Sequence, residues 1–194
     1  MNRGPSGRIV TFPIGGEEVR AFVPLGLPPE PPLEMNGQRQ TLMEQALIAL
    51  GRLDALSHLV PDPRLFLYAY VRKEAVLSSQ IEGTRSSLSD LLLFEMDEAP
   101  GVPLEDVLDV SNYVAAMEHG LSRIRGGVPL SNRLLSEMHA HLLSRGRGSD
   151  TLPGAFRRSQ NWVGGTRPGN THDVPPPPDI SRESMGELEL FLNE

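Results

Sequence analysis

The sequence predicts a mainly α-helical protein with one β-hairpin, and three observations carry that reading. Apolar residues recur at spacings of three and four through most of the chain. Proline and glycine clusters punctuate those runs where helices would start and stop. One late stretch, 151–178, abandons the helical period and turns rich in glycine and proline. At 194 residues, 39% of them hydrophobic, the chain can build a core rather than remain disordered.

Taken in order, residues 1–10 read as a flexible start and residues 19–25 as a short extended piece. Pro28-Pro29-Glu30-Pro31-Pro32 resists both helix and central strand, because proline lacks the donor each requires. Leu42, Ala46, Leu50, Leu53 and Leu56 then predict an amphipathic helix over 38–59. Pro61 and Pro63 interrupt it. A second helix follows with Phe66, Tyr70, Lys73, Leu77 and Ile81 on one stripe, stopping at Gly83, a natural left-handed cap. Ser87 with Asp90 three residues later is a capping box for a short helix through Leu91, Leu92 and Phe94.

After the break at Pro100 to Pro103, Leu104, Val107, Leu108, Val114, Met117, Leu121 and Ile124 mark a long helix closed by Gly126-Gly127. Ser131 is a good N-cap for a helix carrying Leu134, Leu135, Met138 and Leu142, ended by Gly146. Gln160 to Val163 and Thr171 to Val174 flank Pro168-Gly169-Asn170, so a hairpin with a Gly-rich turn is predicted there. Pro175 to Pro178 lead into a last helix with Met185, Leu188, Phe191 and Leu192. That helix carries an apolar face and no stop signal; it either docks on the core or is interrupted, and the second reading is favoured.

The charge excludes some functions. A net charge of −7 argues against nucleic acid as the main partner, since phosphate binding draws on clustered Lys and Arg. Lys73 is the one lysine, so no Lys-rich membrane patch exists. Without cysteine there are no disulfides and no Cys-ligated zinc. The first twenty residues lack an apolar secretory core, and no run reaches the roughly 18–20 apolar residues of a membrane span. A soluble cytoplasmic protein is the expectation.

Among residues that carry chemistry, Ser78 and Glu82 lie four apart near the end of the second helix and share a face. A carboxylate at a helix C-terminus opposes the macrodipole, which hints at a cationic partner such as an arginine; the plainer reading is a solvated Glu at a frayed end. His139 and His141 are two apart on a helix and point apart, so packing is favoured over a metal pair and no metal ligand is assigned. Arg157 and Arg158 either pair with acidic helix residues, the favoured case, or line the entrance to a nucleotide site.

The segment Lys73-Glu74-Ala75-Val76-Leu77-Ser78-Ser79-Gln80-Ile81-Glu82-Gly83-Thr84 resembles the inhibitory helix of Fic proteins: Ser or Thr, three residues, Glu, then Gly or Asn. Phe22 to Leu25 with Leu27-Pro28-Pro29 is similar to that family's N-terminal lead-in, and Pro153 to Gly165 resembles the segment entering its flap hairpin. Val174, the proline run and the helix from Leu188 to Asn193 resemble the segment leaving it. The likeness runs from about residue 20 through nearly the whole chain.

The resemblance implies a Fic-like helical bundle whose hairpin is the flap, truncated before the catalytic loop. It divides the chain into a flexible, Pro-rich lead-in (1–37), an N-terminal region with the inhibitory helix (38–99) and an incomplete first part of the Fic core (100–194). It assigns inhibition to Ser78, Glu82 and Gly83, and target docking to Gln160, Asn161, Trp162, Val163 and Gly164. In the family the inhibitory Glu pairs with a catalytic-loop Arg and blocks productive seating of the ATP γ-phosphate. The side chain of Trp162 equally well packs on the helices.

The family's His-Pro-Phe-x-x-Gly-Asn-Gly-Arg type motif is not in this sequence; Pro168-Gly169-Asn170 lacks a following helix and does not make a phosphate loop. The family activity implied is AMP transfer from ATP, with Mg, to a protein hydroxyl. No catalytic residue is assigned to this chain, and neither ATP nor Mg is expected to bind it tightly. The partners implied are a protein target and, in a complete protein, ATP, with a homodimer left open. The alternative is a non-catalytic, antitoxin-like helical module that inhibits a partner in trans through Glu82.

Overall fold

The computed structural model describes residues 6–194. They are mainly helical, with one two-stranded antiparallel hairpin, β1 (Gly7–Ile14) and β2 (Glu17–Pro24). The helices are α1 (Gly37–Ser57), α2 (Pro63–Ile81), α3 (Leu88–Glu95), α4 (Leu104–Arg125), α5 (Asn132–Leu142) and α6 (Pro178–Asn193). Two compact units divide the chain. One holds the described residues up to Leu33 together with Gly127–Ser136 and Ala155–Glu194; the other holds Glu34–Gly126 and Glu137–Gly154.

In the first unit the hairpin turns on Gly15 and Gly16, both at positive φ (58° and 85°), the geometry whose twist matches that of paired strands. Phe12 pairs with Val19 and Val10 with Ala21. Val19, Ala21 and Val23 are buried, and Val174 closes over Val19 and Ala21 beside the half-buried Val10, Phe12 and Ile14. Glu17 accepts from the Gly169 amide at 2.6 Å and pairs with Arg167 at 2.9 Å, which ties the β-turn to the 3-10 turn at Pro168–Asn170.

This corrects two sequence expectations. Strand begins at Gly7, inside the stretch read as flexible; residues 1–5 of that stretch lie outside the described residues. The hairpin predicted at 160–174 condenses to one bridge, Val163 with Asp173. Prolines at 168 and 175–178 cannot donate to a ladder and Gly164-Gly165 bends the chain, whereas Gly15-Gly16 sits between strands of uninterrupted alternation.

In the second unit α2, α3 and α4 enclose Val71, Ala75, Val76, Leu91, Val107, Val110 and Val114. The stripe expected to face the core from α2 is the wrong one: Phe66, Tyr70, Leu77 and Ile81 are exposed, and Val71, Arg72, Ala75 and Val76 are buried. Arg72 explains the choice. Its guanidinium pairs with Glu95 of α3 at 2.9 Å and Glu118 of α4 at 3.1 Å, and lies 3.5 Å from the Tyr68 ring centroid. One charged side chain thus fixes which face of α2 turns inward, something apolar spacing does not encode. The capping box forms as expected: the Asp90 amide donates to Ser87 Oγ at 3.2 Å and the Ser87 amide to Asp90 Oδ2 at 2.9 Å. α1 buries no residue; its Leu50 and Leu53 are 62% and 64% exposed.

Candidate functional site

The C-terminus of α2 is built as a Schellman motif. Gly83 adopts φ 96°, the Gly83 amide donates to Gln80 O at 3.1 Å and the Thr84 amide to Ser79 O at 3.2 Å. A Cβ at Gly83 would meet nothing within 4 Å, so backbone conformation rather than space demands glycine there. The motif makes Glu82 the C-cap residue and holds its side chain outward, where the macrodipole opposes it. The Glu82 carboxylate has no hydrogen bond or ion pair among the described residues.

Glu82 is exposed. It lines a groove of about 400 Å³ with Ser78, Ser79, Thr84, Asp109, Tyr113, Leu142, Leu143, Arg147 and Gly148, all within the second unit. Ser78 and Glu82 therefore face one groove, as their spacing predicts, although the Ser78 hydroxyl donates to Glu74 at 3.1 Å.

The opposite wall is the Gly146-Arg147-Gly148 loop after α5, moored to α4. Asn112, buried, donates through Nδ2 to Arg145 O at 2.7 Å and accepts from Ser144 Oγ at 3.3 Å. Asp106, also buried, accepts from the Arg85 amide at 3.0 Å and from Arg147 Nη2 at 2.7 Å. The Arg85 amide and then Arg147 hold the Asp106 carboxyl below the usual carboxylate range. Asp109 is pushed the other way, first by burial and then by the charges of Asp106, Glu105 and Glu82, against the pull of Arg147 at 3.3 Å. Asp106, Asp109 and Arg147 did not emerge from the sequence reading; their signal is the polar set on the inner side of α4 and an arginine between two glycines.

The residues expected to dock a target lie in the first unit. Asn161, Trp162, Val163 and Gly164 are exposed and Gln160 is half-buried. Trp162 retains 39% of its surface, the remainder being covered. Val163 donates to Asp173 O at 2.8 Å and accepts from Asp173 and His172. Gly164 and Gly165 adopt φ 71° and 72°; a Cβ on Gly164 would come 2.5 Å from the His172 ring, and one on Gly165 2.4 Å from Asn170 O. Arg157 donates to Pro176 O and Gln160 to Pro175 O, so both staple this segment to the proline run. The acidic pairing favoured for Arg157 is not formed among the described residues.

The histidines have local partners. His139 Nδ1 accepts from the Gly154 amide at 2.9 Å, and His141 lies against the His119 ring, 4.4 Å between centroids. Among the described residues no cluster of three or more His, Cys, Asp or Glu is placed to hold a metal, and no helix is long and apolar enough to cross a membrane.

One unit displays a carboxylate at a capped helix end, and the other carries an extended, exposed loop segment. Residues 40–122 match the Fic/DOC family N-terminal model. That stretch, from α1 to α4, is a Fic/DOC family N-terminal region. No curated protein matches it.

Proposed function

We propose that the chain supplies self-inhibition and target docking to a Fic-type protein adenylyltransferase, which moves AMP from ATP to a protein hydroxyl. The observation that carries the reading is the unpaired carboxylate of Glu82, held outward by the Schellman motif into a groove shared with Ser78. A carboxylate so presented suits the bidentate fork of an arginine, and an arginine engaged there cannot also grip a phosphate. Gly83 makes this presentation rigid. Ser78 fixes the groove edge through Glu74.

Docking rests on the exposed segment from Asn161 to Gly164, where Val163 makes the bridge and the Asn161 carbonyl accepts from the Gln160 side chain, while the amides of Asn161, Trp162 and Gly164 make no hydrogen bond among the described residues and can meet an extended target. The groove itself suits no triphosphate: two carboxylates line it, and its one cation, Arg147, is already paired with Asp106 and Asp109.

The test joins this chain to a Fic catalytic core bearing the His-Pro-Phe and Gly-Asn-Gly-Arg elements and follows incorporation of label from ATP. Glu82→Gly raises incorporation if Glu82 is the brake; no increase removes the assignment. Adding the chain as a separate polypeptide distinguishes inhibition in trans from inhibition within one protein.

A further inference from the structure

A second hollow, of about 560 Å³, lies wholly within the first unit, and its size is that of clefts that hold ligands. Its lining is mainly apolar: Leu25, Leu27 and Pro29 come from the lead-in, Pro176 from the proline run, and Met185 and Leu188 from α6. Leu25 and Leu27 remain 46% and 41% exposed. Two carboxylates, Glu30 and Glu187, also stand at the hollow; both are exposed, and neither has an ion pair or hydrogen bond among the described residues. No lysine or arginine among the described residues lines it. Apolar walls edged by uncompensated negative charge suit an apolar group with a positive charge beside it. The chain's own net charge of −7 opposes a second copy at this place, and an anionic lipid surface is opposed in the same way.

The hollow adjoins the segment proposed for docking. Val163 bridges to Asp173, Gln160 donates to Pro175 O at 2.8 Å, and Pro176 lines the hollow. The path from Asp173 to Pro176 spans at most roughly 11 Å of extended chain. A polypeptide laid along Asn161 to Gly164 therefore reaches the hollow within about four of its own residues. We infer that the hollow takes an apolar side chain of the target, and that Glu30 and Glu187 meet a lysine or arginine next to it. The inference rests on the reading of residues 160–164 as the docking segment. It adds the class of target: an extended segment bearing the acceptor hydroxyl, followed by an apolar and a basic residue. Main-chain pairing sets register and is indifferent to side chains, so selectivity has to come from pockets. Burial of a leucine-sized side chain is worth roughly tenfold or more in affinity, and an exposed charge pair up to about fivefold. The apolar anchor is thus the main discriminator and the charge the lesser one.

The experiment titrates the isotope-labelled chain with the peptide acetyl-Thr-Val-Thr-Thr-Ser-Leu-Arg-Thr amide, following backbone amides of residues 25–27, 161–164 and 184–188 by NMR. All three segments are expected to shift saturably. Serine in place of the peptide's leucine should weaken binding roughly tenfold or more. Glutamine in place of its arginine should weaken it up to about fivefold, an effect that fades as salt is raised. Ser184→Phe, which fills the hollow, should abolish the shifts at 25–27. Glu30→Gln combined with Glu187→Gln changes only exposed side chains and should abolish the preference for arginine over glutamine. Equal binding of the leucine and serine peptides overturns the anchor, and an unchanged preference in the double variant overturns the charge pairing. Shifts confined to 161–164 overturn the inference and leave the docking reading standing. Shifts confined to 25–27 and 184–188 support the hollow as a peptide site and remove the docking reading. Shifts at the hollow that grow with protein concentration, without peptide, make a second copy the occupant and overturn the inference. No shift in any segment overturns both.

Discussion

Replacing Arg72 with methionine tests the physical basis of the second unit. The Arg72 side chain is 8% exposed and pairs with Glu95 (24% exposed) and Glu118 (54% exposed). Removing one partner of a fully buried ion pair costs about 3–5 kcal/mol, because a charge is left without compensation. Here the orphaned carboxylates differ. Glu118 is open to water and loses little. Glu95 keeps the Tyr68 hydroxyl as donor at 3.0 Å, while methionine retains most of the apolar volume. The net loss expected is therefore at the low end, about 2–3 kcal/mol, equivalent to a melting temperature lower by on the order of 10 °C in a unit of this size. Urea unfolding followed by circular dichroism at 222 nm, with the slope checked against wild type, measures it. A change under about 0.5 kcal/mol would place Arg72 among ordinary surface residues and refute the claim that it selects the buried face of α2.

Other outcomes are equally specific. Gly165→Ala puts a Cβ against Asn170 O in a left-handed backbone, so the Val163 amide, bonded to Asp173 O, should exchange with solvent about tenfold faster or more, as a loss of roughly 1–3 kcal/mol at a strained turn implies. Asp106 holds its proton less tightly folded than unfolded. Its contribution to stability is thus present above the ordinary carboxylate range and lost as pH falls through it, and Asp106→Asn should flatten the acid limb of the stability–pH profile. Calorimetry of the chain with Mg-ATP should show no micromolar binding; such a signal would relocate the nucleotide site to this chain.

Much of the helical framework was legible because its signals are local. Gly83 ends α2 through backbone conformation alone, and Ser87 with Asp90 starts α3 through a pair three residues apart. What escaped depends on distant partners. The face of α2 that turns inward is chosen by Glu95 and Glu118, 23 and 46 residues away. The hairpin was assigned to 160–174 on its glycines, while the ladder forms around Gly15-Gly16, where alternation continues on both sides of the turn. In the site, the shared face of Ser78 and Glu82 follows from helical period, but Asp109 and Arg147 enter only when α4 and the loop after α5 converge on it.

The most direct measurement is label transfer from ATP by this chain joined to a Fic catalytic core, comparing wild type with Glu82→Gln, which removes the charge and keeps the shape. The account predicts that auto-modification rises by about tenfold or more, the loss of one charge-assisted contact to an arginine. Equal rates, with both proteins folded, would contradict it.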